Sequence, residues 1–191
     1  LVIFIATLAN MPLPILPLQI LFLNLVTDVF PALALGAGEG HDRVMQDPPR
    51  PKSEPILTRR HWFEISGYGL LIALATLTAY VLADIAFGWS REQQVTVAFL
   101  TLATSQLWHV FNMREHDASL FNNQMTRNPF IWGALALCMV LLVGAIYIPP
   151  FAMVLKTVPI GAPAWSLALA IGIAPVVCDR LLRFVYRVAP R

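Results

Sequence analysis

The chain has 191 residues, of which 58% are hydrophobic and only 13% charged. That apolar share exceeds the roughly 45–50% of soluble domains and points to an integral membrane protein. A formal net charge of +2 gives no case for a nucleic-acid partner, and the two cysteines, Cys138 and Cys178, offer no disulfide framework, zinc spacing or redox motif.

In chain order, residues 1–9 are apolar but too short to cross a bilayer. They carry no basic flank of the kind that precedes a signal sequence, so they read as the last turns of a helix. Asn10-Met11-Pro12-Leu13-Pro14 is a turn that cannot continue it. A first full span is expected over about 15–35, and a polar loop rich in proline and charge over 36–60. Further spans are expected over about 62–87, 92–111, 129–148 and 163–185, the last interrupted by Pro175. The expected fold class is all-α, a multi-span transmembrane helical bundle. Cys138 and Cys178, inside apolar spans, read as small buried hydrophobes.

The basic residues orient these spans. If every span crosses, Arg43, Arg50, Lys52, Arg59 and Arg60 share a side with Arg114 and Arg127 and with Arg180, Arg183, Arg187 and Arg191. Of the 13 basic residues only Arg91 and Lys156 fall on the other side. The positive-inside rule then makes the loop over 36–60 and the C-terminus cytoplasmic.

Within the first full span lies Asn24-Leu25-Val26-Thr27-Asp28, followed by Val29-Phe30-Pro31. A carboxylate at the bilayer centre costs about 2.5–3.5 kcal/mol on insertion scales, so Asp28 reads as functional. In an α-helix Asn24, Thr27 and Asp28 stand at i, i+3 and i+4 and share a face. Pro31, lacking an N–H, would free the Thr27 carbonyl one turn back. Oxygens of this kind at membrane depth replace the water of a hard cation. Read as residues alone, the same trio is equally a hydrogen-bonded cluster that joins helices.

The segment Leu18–Gly36, LQILFLNLVTDVFPALALG, resembles the sixth membrane helix of P-type cation pumps, particularly the calcium-pump branch. Met45-Gln46-Asp47-Pro48-Pro49-Arg50 with Glu54-Pro55-Ile56-Leu57 resembles the cytoplasmic loop that follows that helix. The likeness continues more weakly to the C-terminus and so covers essentially the whole chain. It implies that residues 1–191 form a C-terminal transmembrane domain, comprising the end of the fifth helix and the sixth to tenth helices. It also implies that Asn24, Thr27 and Asp28 bind the transported cation. The family's glutamate on the eighth helix is matched by Gln106, which supplies an oxygen but no charge, and Val29 stands where calcium pumps commonly carry glycine. Calcium is the cation implied first, with manganese, sodium, potassium and protons open.

The phosphorylation motif DKTG and the TGES and GDG-x-ND motifs are not in this sequence. ATP and Mg²⁺ would therefore act only through the remainder of a pump: the first membrane helices and the actuator, nucleotide-binding and phosphorylation domains. The lipid bilayer is the other expected partner, and a bacterial plasma membrane the expected location. Two rival readings are a secondary cation transporter or channel subunit, with Asp28 as its proton or sodium site, and a purely structural membrane subunit. Carriers often show repeated halves, and no internal repeat is visible here. Outside the trio, Thr104 and Ser105 are expected to bond back to their own helix, and Trp108 and His109 to anchor a helix end at the interface.

Overall fold

The computed structural model describes residues 1–37, 57–112 and 128–188. Most of the loop expected over 36–60, with its proline-rich motif, lies outside the described residues, as do Arg114, Arg127 and Arg191. Among the described residues the regular structure is entirely helical. The helices are α1 (Val2–Leu8), α2 (Pro17–Leu23), a π-helical segment (Asn24–Val29), α3 (Phe30–Gly36), α4 (Arg59–Ile85) and α5 (Arg91–His109). A short 3₁₀ turn (Val110–Asn112) follows α5, and then come α6 (Pro129–Tyr147), α7 (Pro149–Leu155) and α8 (Ala162–Val188).

Local sequence sets where the long helices begin. Ser90 accepts from the Gln93 amide at 3.4 Å while Gln93 Oε1 accepts from the Ser90 amide at 3.0 Å, a reciprocal cap for α5. Thr58 and His61 do the same for α4. Asn128 caps α6 by accepting from Phe130 N at 2.9 Å, and Pro129 fills the first turn, where an N–H has no partner anyway.

Among the described residues four stretches are long and apolar enough to cross a membrane: Pro17–Gly36, His61–Ile85, Pro129–Tyr147 and Ala162–Leu181. The first is continuous through α2, the π segment and α3. The expected span over 92–111 corresponds to α5, which has the length but not the apolar composition of the others. Its position explains this. It packs along both α4 and α8, and its buried residues include Gln94, Thr96, Thr101, Thr104 and Ser105. The main core forms around it, joining Leu23 and Val26 to Phe99, Leu100, Cys138 and Leu142.

One sequence expectation changes here. The last span is not interrupted: α8 runs through Pro175 as one helix, since neighbouring groups can satisfy the carbonyl a proline leaves bare in a membrane helix. Between the expected spans over 129–148 and 163–185 the structure adds α7, begun by Pro149-Pro150. The link from α7 to α8 is tied down on several sides. Gln19 Nε2 donates to Leu155 O at 3.0 Å, Thr157 Oγ1 to Ala145 O at 2.6 Å, and Val158 N to Thr96 Oγ1 at 3.1 Å. Tyr147 Oη donates to Ile160 O at 2.7 Å and accepts from Trp165 Nε1 at 2.9 Å. Lys156, between the two helices, adopts the left-handed conformation that closes the turn.

Candidate cation site

The motif Asn24–Val29 is the segment that winds as a π-helix. A π-helix bonds residue i to i+5 and so puts more residues into each turn than an α-helix does. Such segments occur inside α-helices as isolated turns, frequently at functional sites. The wider turn redistributes the trio. Asn24 and Asp28 are exposed on the surface of the chain, whereas Thr27 turns inward and is 4% exposed.

Thr27 meets Gln106 there. Its Oγ1 is 2.9 Å from Gln106 Oε1, 2.8 Å from the Leu23 carbonyl and 3.5 Å from Asp28 Oδ1. One hydroxyl proton faces three acceptor oxygens. With the proton on Leu23 O, two oxygens remain against Thr27 with no hydrogen between them. Rotating the Gln106 amide, whose O and N ends exchange at little cost in shape, would turn a donor toward Thr27 instead. Gln106 thus reaches Asp28 through Thr27, a more indirect arrangement than two side chains facing each other across the bundle.

The spacing suits a hard cation. Oxygens about 2.4–2.5 Å from a calcium ion and at neighbouring positions of its shell lie about 3–3.5 Å apart. The Thr27–Gln106 and Thr27–Asp28 separations fall at or near that range. Among the described residues there is no cluster of three or more His, Cys, Asp or Glu side chains. The side chains that meet at Thr27 are instead one carboxylate, Asp28, and one amide, Gln106.

The surroundings hold this geometry. Cys138 on α6 directs its Sγ at the Val26 carbonyl, 3.0 Å away. The reading of Cys138 as a small apolar filler missed this bond. The signal was there in principle, since a thiol can donate, but its target could not be known before the π winding was. Asn128 Nδ2 reaches Ala34 O at 3.2 Å and ties the end of α3 to the start of α6. On α5, Thr104 Oγ1 bonds back to Leu100 O at 2.8 Å. Ser105 departs from expectation, as its buried Oγ has no hydrogen-bond partner among the described residues. His109 stacks on Tyr68 with ring centroids 3.9 Å apart, so it packs between helices besides lying near a helix end.

Comparison with known proteins accords with this architecture. The chain is 34% identical to a calcium-transporting ATPase of Bacillus subtilis, over 92% of its own length and 20% of that protein. It is 31% identical to a calcium-transporting ATPase of Listeria monocytogenes, over 90% of its length and 19% of the relative. A third relative, the endoplasmic reticulum-type calcium-transporting ATPase 3 of Arabidopsis thaliana, is 25% identical over 97% of this chain and 21% of its own length. The chain therefore spans about a fifth of the length of these relatives. The family model described as "Cation transporting ATPase, C-terminus" matches residues 12–185, from the turn before α2 into the last turns of α8. A match of that extent, over a helical membrane bundle with a polar π-helical segment in its first full span, settles the relationship: the chain belongs to the family of cation-transporting ATPase C-termini.

Proposed function

We propose that this chain forms the cation-binding and translocation part of the membrane domain of an ATP-driven calcium pump, with Asn24, Thr27, Asp28 and Gln106 as ligands. The observation that carries this is the Thr27 hydroxyl, whose oxygen lies within 3.5 Å of three residues: the Leu23 carbonyl, the Gln106 amide and the Asp28 carboxylate. Asp28 supplies the charge. Asn24, Thr27 and Gln106 supply neutral oxygens. Calcium takes six to eight oxygens, so these four side chains complete only part of a shell. The other ligands come from the remainder of the pump, whose first membrane helices pack against the exposed Asn24–Asp28 face. ATP hydrolysis belongs to its cytoplasmic domains.

The π segment gives the site two discrete states. Converting its wide turn to an α turn shifts the register by one residue, a rise of about 1.5 Å and a rotation of about 100°. That motion separates Thr27 from Gln106 and changes how many oxygens converge on the cation. Phosphorylation in the cytoplasmic domains drives it, alternating a tight inward-facing site with a weak outward-facing one. The distribution of basic residues supports a cytoplasmic C-terminus, and the bacterial relatives support a bacterial plasma membrane.

The test is Asp28→Asn in the full-length protein. It keeps size and most hydrogen bonding but removes the charge, so Ca²⁺-dependent phosphorylation by ATP should be abolished while membrane insertion is retained. Asn24→Ala and Thr27→Ala should weaken Ca²⁺ affinity less, each removing one neutral oxygen. If the trio only joins helices, the same variants will accumulate poorly with their Ca²⁺ response intact. An Asp28→Asn protein that still transports Ca²⁺ with unchanged half-saturation overturns the assignment.

A further inference from the structure

The π segment ends at Val29, and Pro31 stands two residues beyond it. Proline has no N–H to give to the preceding turn. Counted four residues back, along an α ladder, the carbonyl left bare is that of Thr27. Counted five back, along the π ladder that precedes it, the bare carbonyl is that of Val26. The structure places a donor on Val26: the Cys138 thiol of α6, with Sγ 3.0 Å from the oxygen. Both residues are sealed from solvent, Cys138 at 0% and Val26 at 1% exposure. A buried carbonyl in such surroundings needs a partner, and water cannot supply it.

We propose that Cys138 is a positioning residue for the cation site: its thiol replaces the hydrogen bond that Pro31 cannot make, and so holds Asn24–Val29 in π register. This rests on the reading of that segment as the cation site. Val26 is bonded through its backbone to Thr27, so fixing the Val26 carbonyl fixes the direction in which the Thr27 hydroxyl points. Loss of the thiol leaves a buried acceptor unpaired. The segment then relieves it by rewinding toward α geometry, which turns Thr27 away from Gln106. Cys138 touches no cation itself and acts through the backbone.

Cys138→Ala and Cys138→Ser separate this role from packing. Both lose the volume of the sulfur, but only serine keeps a donor. In the full-length protein, Cys138→Ala should raise the Ca²⁺ concentration for half-maximal phosphorylation about three- to tenfold, the scale of one hydrogen bond, with the maximal rate unchanged. Cys138→Ser should stay close to the parent. Equal half-saturation in the alanine and serine variants overturns the proposal.

Pro31→Ala provides a second arm that works even if Cys138→Ala accumulates poorly. An amide restored at residue 31 lets the local ladder close without the thiol. In that background Cys138→Ala should cost no further Ca²⁺ affinity, and any loss of membrane yield should be recovered. The same cost in both backgrounds also overturns the proposal. Asp28→Asn, run alongside, keeps the two readings apart. If it abolishes the Ca²⁺ response while Cys138→Ala and Cys138→Ser behave alike, the site stands and the positioning role falls. If Asp28→Asn leaves the response intact, the site itself falls, and this inference with it.

Discussion

Helices α5 and α6 are each 19 residues long, yet twelve residues of α5 are buried and only five of α6. Their chemistry follows their surroundings. α6 turns most of its circumference outward and is apolar nearly throughout, with Trp132, Val140 and Val143 among its exposed side chains. α5 is wrapped by α4, α8 and the π segment. It can therefore carry glutamine and threonine inside the bundle, because their partners are protein groups. In a membrane the polar helix is the interior one, the reverse of the pattern in water. Gln106 at the candidate site belongs to this interior helix.

The comparison is tested most strongly by truncating one side chain of each kind. Phe99 on α5 is fully buried and packs on Phe22, with centroids 6.0 Å apart. Val140 on α6 is 67% exposed. Hydrocarbon tails are as apolar as these side chains, so what truncation removes is close packing more than transfer from water. Phe99→Ala should cost about 3 kcal/mol in unfolding measured in mixed micelles, while Val140→Ala should stay within about 0.5 kcal/mol. Similar costs at the two sites would mean that α5 is not the packed centre of the bundle.

A smaller effect is expected where α8 meets α5. A Cβ added at Gly172 would collide with Thr104 Oγ1 and lie 3.1 Å from Thr104 Cβ. The absence of a side chain at Gly172 is what lets the two helices approach. Gly172→Ala should destabilise the bundle by about 1–3 kcal/mol. Adding Thr104→Ala, which removes the oxygen in the way, should recover much of that loss. A double variant no more stable than Gly172→Ala alone would place the strain elsewhere.

The helical class and the membrane setting were legible in the apolar stretches, because about 20 residues of hydrocarbon character have few other uses. The stretch expected over 92–111 is helical as α5, although its composition keeps it out of the four apolar stretches. α7 was hidden by its leading prolines and shortness, and the continuity of α8 by Pro175, whose effect depends on neighbours the sequence does not show. At the site, the residue types Asn24, Thr27, Asp28 and Gln106 could be picked out, but their arrangement was drawn on α geometry. The π winding sends Thr27 inward to Gln106 and leaves Asn24 and Asp28 outward, and the Val26 carbonyl within it takes the Cys138 thiol as a partner. Winding of that kind depends on contacts such as Cys138 to Val26, separated by 112 residues.

The finest test compares two threonines within α5 itself. Thr101 Oγ1 bonds to Val97 O, 2.8 Å away on its own helix. That carbonyl already serves the helix ladder, so the hydroxyl meets its own need without joining α5 to anything else. Thr96 Oγ1 likewise donates to Glu92 O at 2.8 Å, but it also accepts from Val158 N at 3.1 Å, in the link between α7 and α8. Valine has nearly the same shape as threonine but no hydroxyl. Thr96→Val therefore strips a part-buried amide of its acceptor and should cost about 1–2 kcal/mol. Thr101→Val strips nothing and should change stability by less than about 0.5 kcal/mol. Unfolding of the two variants in mixed micelles measures the difference. A large loss at Thr101 would mean that buried polarity in α5 stabilises the bundle wherever it occurs. A loss confined to Thr96 would mean that it does so only where a side chain reaches another element, as Thr27 does in meeting Gln106.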